Sequence, residues 1–433
     1  MVLTGAVSYF ALLPFARLNN GPLFPVIEQI SFLTPRNIEN RKMKRKLLLV
    51  FICSALIFVA YSRSPQNPDV KLVRIPNGGI QPEAVADHGG EILHLIYFRG
   101  VPAHGDLLYV KSSDGGVTWS SALRVNSQPG TAIAAGTIRG GQIALGQNGA
   151  VHVAWNGSSE AESFGPMNPE SGKRGAPMLY SRLNSSGTAF EPERNLMTHT
   201  FGLDGGGTVA ADNSGNVYVA WHGKAVGAPE GEAGRQVWVT ESRDGGKSFA
   251  AEQPAWKEPT GACGCCGMAM FTDARGTVRA LYRSATENVH RDIYLIESQN
   301  RGERFTGRKL DTWQINACPM SSMAFAEAGG RILGAWETAG HVYFEDLTTP
   351  NALRIGATNE DKNSKHPRLA IMPDGETLMA WTEGTGWARG GSLAWQLFDR
   401  AGKPLGEKHI VSGVPTWSFA AVVPQAQGAL ILY

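Results

Sequence analysis

From residue 70 to the last residue the chain alternates large apolar and smaller or polar positions in short runs, each ending on an aromatic. A period of two is the signature of a strand with its two faces in different surroundings. Seven runs share this form: Ile92–Tyr97, Val151–Trp155, Val217–Trp221, Val278–Tyr282, Ile332–Trp336, Thr377–Trp381 and Ala429–Tyr433. Their aromatics are spaced from 45 residues (Trp336 to Trp381) to 66 (Trp155 to Trp221). A further short strand with a Gly-containing turn precedes each run. Six of the seven are followed by a third strand, carrying Tyr109, Tyr180, Trp238, Tyr294, Tyr343 or Trp395. Such a unit cannot bury both faces alone. Repeated at this period, it predicts an all-β propeller with four-stranded blades. The seventh copy runs out of chain after its second strand. The segment Val70–Ile75, which has no partner ahead of the first copy, is expected to complete it and leave no open edge. Counting favours seven blades, one incomplete, with six as the alternative. A β-sandwich gives no reason for seven copies of one hairpin.

The third strand leads into a second pattern. Ser112-Ser-Asp114-Gly-Gly116-Val-Thr118-Trp119 and Ser242-Arg-Asp244-Gly-Gly246-Lys-Ser248-Phe249 match S-x-D-x-G-x-[ST]-[WF] in the same phase of the repeat. Ser298–Phe305 is a worn copy, and Ser181–Phe190 a worn copy with an insertion. Asp accepts hydrogen bonds from turn amides and Gly supplies positive φ. On these residues the chain resembles the sialidase-like, Asp-box (BNR) β-propeller family over residues 70–433. The resemblance implies that Asp114, Gly116, Trp119, Asp244, Gly246 and Phe249 are structural and lie on the face away from any active site. It also implies a glycan ligand, with glycoside hydrolysis of the sialidase type as the leading enzymatic reading. A sialidase needs an arginine cluster for a carboxylate, an acid/base carboxyl and a Tyr nucleophile. The family's Arg-Ile-Pro motif is matched by Arg74-Ile75-Pro76, but the repeat puts Ile80 where the motif's arginine should stand. Ala103 holds the place of the acid/base Asp, and no Tyr nucleophile is evident near the C-terminus.

Loops after each second strand, and lead-ins to each first strand, are expected on the face opposite the Asp boxes. That places Arg99, Asn156, His222, Arg283, Glu337 and Glu383 there, with Arg139, Asp204 and His366 on the lead-ins. Longer loops add His104, His290, Arg291, His341, Trp387 and Arg389. Polar loop residues gathered at one end of a scaffold are what a binding site requires. Glu337, Glu383 and Arg283 are the candidate catalytic residues. Arg99, His104, Asn156, His222, Arg291, Trp387 and Arg389 are the candidate substrate-binding residues. Two other readings stay open: a non-catalytic propeller binding a glycan or protein, and a periplasmic metal-binding or redox protein.

The second alternative rests on cysteine. Cys263, Cys265, Cys266 and Met268 precede one blade, and Cys318 and Met320 the next. Four cysteines in an exported protein suggest disulfides, Cys318 pairing with one of the three; thiolates and thioethers also suit Cu(I), or Zn with thiolates alone. A reactive unpaired thiol is the third option. No other cofactor is expected.

The chain has 433 residues with 52 Gly and 18% charged residues, a profile that suits a turn-rich β protein. Its formal net charge of +2 carries no basic stripe and gives nucleic acid no electrostatic purchase. Lys42, Lys44, Arg45 and Lys46 precede the apolar run Leu47–Ala60, with Ala60-Tyr61-Ser62 offering small residues for cleavage. Residues 43–62 therefore read as a signal peptide, or an uncleaved anchor, for an exported, periplasmic or secreted protein. Residues 1–42 read as an extension ahead of Met43 and 63–69 as a linker. The expected partner is a glycan or other small anionic ligand, bound by a monomer that meets a membrane only through residues 47–60.

Overall fold

Every strand of the computed structural model, which describes residues 69–358 and 363–433, belongs to a repeating hairpin unit or to a small side ribbon. The proposed signal, its flanks and the linker up to residue 68 lie outside the described residues. Among the described residues no helix is long and apolar enough to cross a membrane.

Six antiparallel sheets of four strands follow one another along the chain. We number these blades 1 to 6; they span residues 80–124, 142–195, 208–254, 269–311, 324–356 and 364–414. Blade 7 has three strands: Ala421–Gln425, Gly428–Leu432 and, from the start of the propeller, Val70–Val73. Val70–Val73 pairs in parallel with the last strand, Val70 opposite Ala429 and Val73 opposite Leu432. The count of seven, the incomplete blade and the closure by the stretch after residue 69 are all borne out.

Alternation explains the ring. In blade 3, Val217, Val219 and Trp221 enter a buried cluster with blade 2, while Tyr218 and Ala220 of the same strand enter a cluster with blade 4. Among the described residues seven apolar clusters occupy the seven junctions between neighbouring blades. The cluster between blades 7 and 1 joins Leu430 and Leu432 to Leu95 and Tyr97 and so seals the closure. The repeat aromatics Trp155, Trp221, Trp336 and Trp381 are fully buried, each in a different one of the other junctions.

Both full Asp boxes form the expected turn between third and fourth strands. The Asp114 carboxylate accepts from the amides of Val117 (3.1 Å) and Thr118 (2.9 Å) and from the Thr118 hydroxyl (2.6 Å). The Ser112 hydroxyl donates to it and accepts from Gly116 N–H. Asp244, Ser242, Lys247 and Ser248 repeat the arrangement. These bonds, led by those to Thr118, pull the Asp114 carboxyl down to about 2; Asp244 is held low for the same reason. The worn copies keep parts of it, with Asn300 and Asn184 accepting in place of the aspartate. Each box also leans on the preceding blade. Gly116 has φ +82, and a Cβ there would lie 2.7 Å from Leu430 of blade 7; a Cβ on Gly246 would strike the Tyr180 hydroxyl of blade 2.

Candidate functional site

On the other face, the lead-in to blade 4 folds over the channel mouth as a short loop. Cys263 N–H donates to the Arg283 carbonyl (3.0 Å), and Gly267 N–H to the Ser321 carbonyl of the next lead-in (2.9 Å). Pinned at both ends, the loop brings three sulfurs together. Cys263 Sγ lies 3.4 Å from both Cys265 Sγ and Cys266 Sγ, and all three fall within 4.8 Å of one another. Cys263 and Cys266 are buried and Cys265 is half-buried.

Charged side chains from four blades surround this loop. Arg283 and Glu337 form a fully buried ion pair at 3.0 Å, with side-chain exposures of 0% and 2%. Arg283 also donates to the Arg291 carbonyl, and Glu337 accepts from Gly340 N–H. Arg291 pairs with Glu232 at 2.6 Å, and Asp204 takes both Arg139 (2.6 Å) and Arg235 (3.2 Å). Lys365 donates to the Pro319 carbonyl. Burial opposes ionisation of Cys266, but hydrogen bonds from the Cys263 and Cys265 thiols, the charge of Arg283 and the Ser321 amide outweigh it and hold this thiol well below its ordinary range. Cys265 is pushed the other way, first by its hydrogen bond with Cys263. Burial raises Glu337 against the pull of Arg283 and lowers Lys365 against that of Glu337. A thiol drawn toward its thiolate form beside fixed cations is a soft ligand.

The site residues expected from the sequence separate into three groups. Arg283, Glu337, Arg291 and His222 are at the mouth but buried: each guanidinium is engaged by a carboxylate, so no cluster of open arginines exists there. His222 is fully buried, and burial followed by the charge of Arg235 lowers it to about 4. Trp387, Arg389, Arg99 and His104 are exposed. Arg99 and His104 lie on a hairpin of blade 1 whose Gly105 bridges to Ala132 in the lead-in to blade 2. The remaining two do other work. Asn156 is a brace, donating to the Gly205 carbonyl (2.6 Å) and accepting from Gly207 N–H (3.2 Å). Glu383 turns toward the outer strand of its own blade, where Lys408 (3.0 Å) and the Trp381 indole (2.9 Å) hold it.

Two cysteine expectations need correction. All four described cysteines are free, the 3.4 Å sulfur separations being far from the roughly 2.05 Å of a disulfide. Cys318 is exposed and outside the cluster, and Met268 belongs to the core between blades 3 and 4. Arg74 lies over the Tyr433 ring at 3.9 Å and donates to the Ser412 carbonyl, so it packs blade 7 against blade 6 rather than lining the mouth.

Sequence reasoning missed Trp417, Gln81, Glu83, Lys365 and Arg368. Arg368 pairs with Glu83 and donates to the Met323 carbonyl, tying blades 6, 1 and 5 across the channel neck. Gln81 Nε2 donates to the carbonyls of Ala134 and Trp417. Gln81-Pro82 and His366-Pro367 were the available signal, since a residue before proline is confined to few conformations. Below this neck the channel widens. Cavities of about 1140 and 700 Å3 open among the first-to-second-strand hairpins, on the Asp-box side. These two cavities are thus on the face opposite the expected one.

At the mouth rim, Gly386–Arg389 forms a tight turn that presents Trp387, 61% exposed, edge-on to Trp417 with ring centroids 4.8 Å apart.

Seven sheets closed by the N-terminal strand, with Asp-box turns on one face and convergent loops on the other, define a seven-bladed β-propeller of sialidase-like architecture. Solved structures similar to it include the Hadza microbial sialidase Hz136 (12% identity, TM-score 0.48, 71% of this chain and 64% of that one). Others are the Penicillium chrysogenum α-L-arabinanase with arabinobiose (13%, 0.49, 76% and 95%) and a Dyadobacter fermentans protein of unknown function (14%, 0.48, 80% and 97%). The chain thus spans less than two thirds of the Hadza sialidase. No family model and no curated protein matches the sequence.

Proposed function

We propose that the face opposite the Asp boxes binds a glycan without cleaving it. The observation that carries this is the Trp387–Trp417 platform, held on a tight turn at the channel rim beside the exposed Arg389. A sugar ring offers an apolar face of C–H groups edged by hydroxyls. A rigid aromatic surface with a few polar neighbours suits it at low entropic cost. The Asp-box resemblance points to the same ligand class. Hydrolysis finds less support, because Glu337 is sealed against Arg283 and Glu383 faces the outer strand. In this reading Arg389, Arg99 and His104 contribute rim contacts, while Arg283 and Arg291 hold the mouth together.

The test is a glycan panel, sialylated and neutral, screened by quenching of indole fluorescence and by calorimetry. Trp387→Ala is expected to weaken binding about tenfold, roughly 1.4 kcal/mol, with the unfolding midpoint unchanged. Absence of binding to every glycan at millimolar concentration sinks the proposal. Release of free sugar that disappears in Glu337→Gln replaces binding with hydrolysis.

A further inference from the structure

We propose that Cys263, Cys265 and Cys266 form a three-sulfur site for a soft monovalent metal ion, Cu(I). The site is distinct from the Trp387 platform and stands without it.

Geometry supplies the first argument. Three thiols from one four-residue stretch converge within 4.8 Å, on a loop whose ends are bonded to blade 4 and to the lead-in of blade 5. Sulfur atoms so close can face one ion without rearranging the backbone. Thiolate ligands select Cu(I), Zn and iron–sulfur centres over hard cations. The number of ligands separates these. Structural Zn is almost always held by four protein ligands, and among the described residues the cluster offers three. Three sulfurs satisfy a low-coordinate monovalent ion.

Charge supplies the second argument. As Cu(I) coordinates, each thiol gives its proton to solvent. Three thiolates and one monovalent cation carry a charge of −2, which cannot be buried uncompensated. Arg283 and Arg291 flank the sulfurs, each paired on one side with a carboxylate, Glu337 and Glu232, yet Arg283 Nε and Arg291 Nε and Nη1 are buried with no hydrogen-bond partner. Buried guanidinium N–H groups left open are costly, and a dianionic centre would satisfy them. His222 is a third unpartnered group. It is fully buried, with its ring beside the carbonyls of Cys263 and Cys266.

Access is the third. Cys265 is half-buried, so an ion can arrive at its sulfur and be passed to the two buried ones. Neither thiol oxidation nor any reductant enters the binding step; Cu(I) stays Cu(I).

The test titrates the full chain, purified and kept anaerobic with thiols reduced, with Cu(I) against a chromophoric Cu(I) chelator. One equivalent is expected, with new near-ultraviolet thiolate-to-copper absorption. Cys265→Ser is the key variant. Its position is half exposed, so the fold tolerates it, and the expected result is at least about 100-fold weaker Cu(I) binding with an unchanged unfolding midpoint. Cys318→Ser is expected to bind as the parent does. The proposal is overturned if Cu(I) does not compete with the chelator, or if Cys265→Ser binds equally well. It is also overturned if Zn(II) binds and Cu(I) does not, or if the protein isolated without reductant carries a stoichiometric Cys263–Cys266 disulfide and, once reduced, fails to take up Cu(I).

Discussion

The two faces of the ring solve the same problem, reversing the chain at the end of a strand, in opposite ways. On the Asp-box face several hairpins give the left-handed position to glycine, with Gly215, Gly276 and Gly375 at φ of 87°, 80° and 87°, while Asn148, Arg301 and Asn351 take it at 55° to 58°. At the channel mouth the lead-ins put Gln81, Thr137, Met320, His366 and Trp417 in that region, with φ from 51° to 69°. An L-residue there costs about 1–2 kcal/mol, and β-branched Thr137 is an outlier in any protein. One face is built mostly from short turns whose left-handed positions fall to Gly or Asn. The other holds strained backbone in place by long-range bonds such as Gln81 N–H to Ser418 Oγ and His366 N–H to Ser321 Oγ. Strain that persists only because its surroundings impose it gathers at functional sites. That contrast, more than cavity volume, supports the proposal that the mouth is the ligand-binding face.

The strongest way to break this comparison is to remove a long-range anchor of the mouth. Glu337→Ala leaves Arg283 buried without a counter-ion, which is expected to cost about 3–5 kcal/mol, read as a shift in the denaturant midpoint. Replacing both partners, Glu337→Leu with Arg283→Met, is expected to recover most of that. A loss below about 1 kcal/mol for the single change shows that the pair does not anchor the mouth.

Next comes pH, for which one buried histidine is taken from each face. His366 at the mouth is held down to about 3 and His152 at the Asp-box end to about 4, both chiefly by burial. A histidine whose folded pKa lies below the ordinary value of about 6.5 is neutral in the folded state while the unfolded chain takes up protons. No stability is lost above about pH 6.5. It is lost as pH falls toward 4, on the order of 3 kcal/mol for each such histidine at 1.36 kcal/mol per unit. His366→Asn, which tolerates the left-handed backbone, and His152→Gln are each expected to flatten this slope. Slopes equal to the parent's show that neither histidine is buried neutral.

A smaller effect compares the backbones directly. Thr137→Gly relieves the left-handed strain and is expected to raise stability by about 1 kcal/mol. Gly246→Ala on the Asp-box face, at φ +77 with the Tyr180 hydroxyl in the way, is expected to lower it by about 1–3 kcal/mol. If both changes destabilise, the mouth is not strained.

The same contrast explains what could be read from the chain. Trp155, Trp221 and Trp381 betray their blades because each sits in a strand whose period is local. Ser242, Asp244 and Gly246 betray their turn because the side-chain hydrogen bonds of Ser242 and Asp244 that shape it fall within seven residues. The face shared by Arg283 and Glu337 was legible too, since the repeat fixes which end of a strand each occupies. Their mutual neutralisation was not, because it joins positions in different blades. Asn156 and Glu383 were misjudged for a related reason. The repeat gives a residue's height along the channel, but its neighbours decide whether the side chain braces a loop, faces outward or meets a ligand. Cys263, Cys265 and Cys266 stood out by their identity, yet Arg283, Arg291 and His222 around them come from elsewhere in the chain.

The smallest expected effect belongs to the most conspicuous motif. Asp114 is exposed, and its hydrogen bonds to Thr118 and Val117 lower its pKa to about 2. A carboxylate lowered in the folded state contributes stability that is fully present above the unfolded value of about 3.9 and is lost as pH falls through about 2. Asp114→Asn keeps a side-chain oxygen to accept from the two amides and loses the charge and the acceptor of the Thr118 hydroxyl. The difference in melting midpoint between parent and variant is therefore expected to be small at pH 6, smaller than that of Gly246→Ala, and to shrink as pH falls through about 2, where the parent's aspartate takes up its proton. A difference that persists unchanged at pH 2 would place the role of Asp114 in its shape rather than its charge. The Asp-box turn would then depend on fit, as the mouth does.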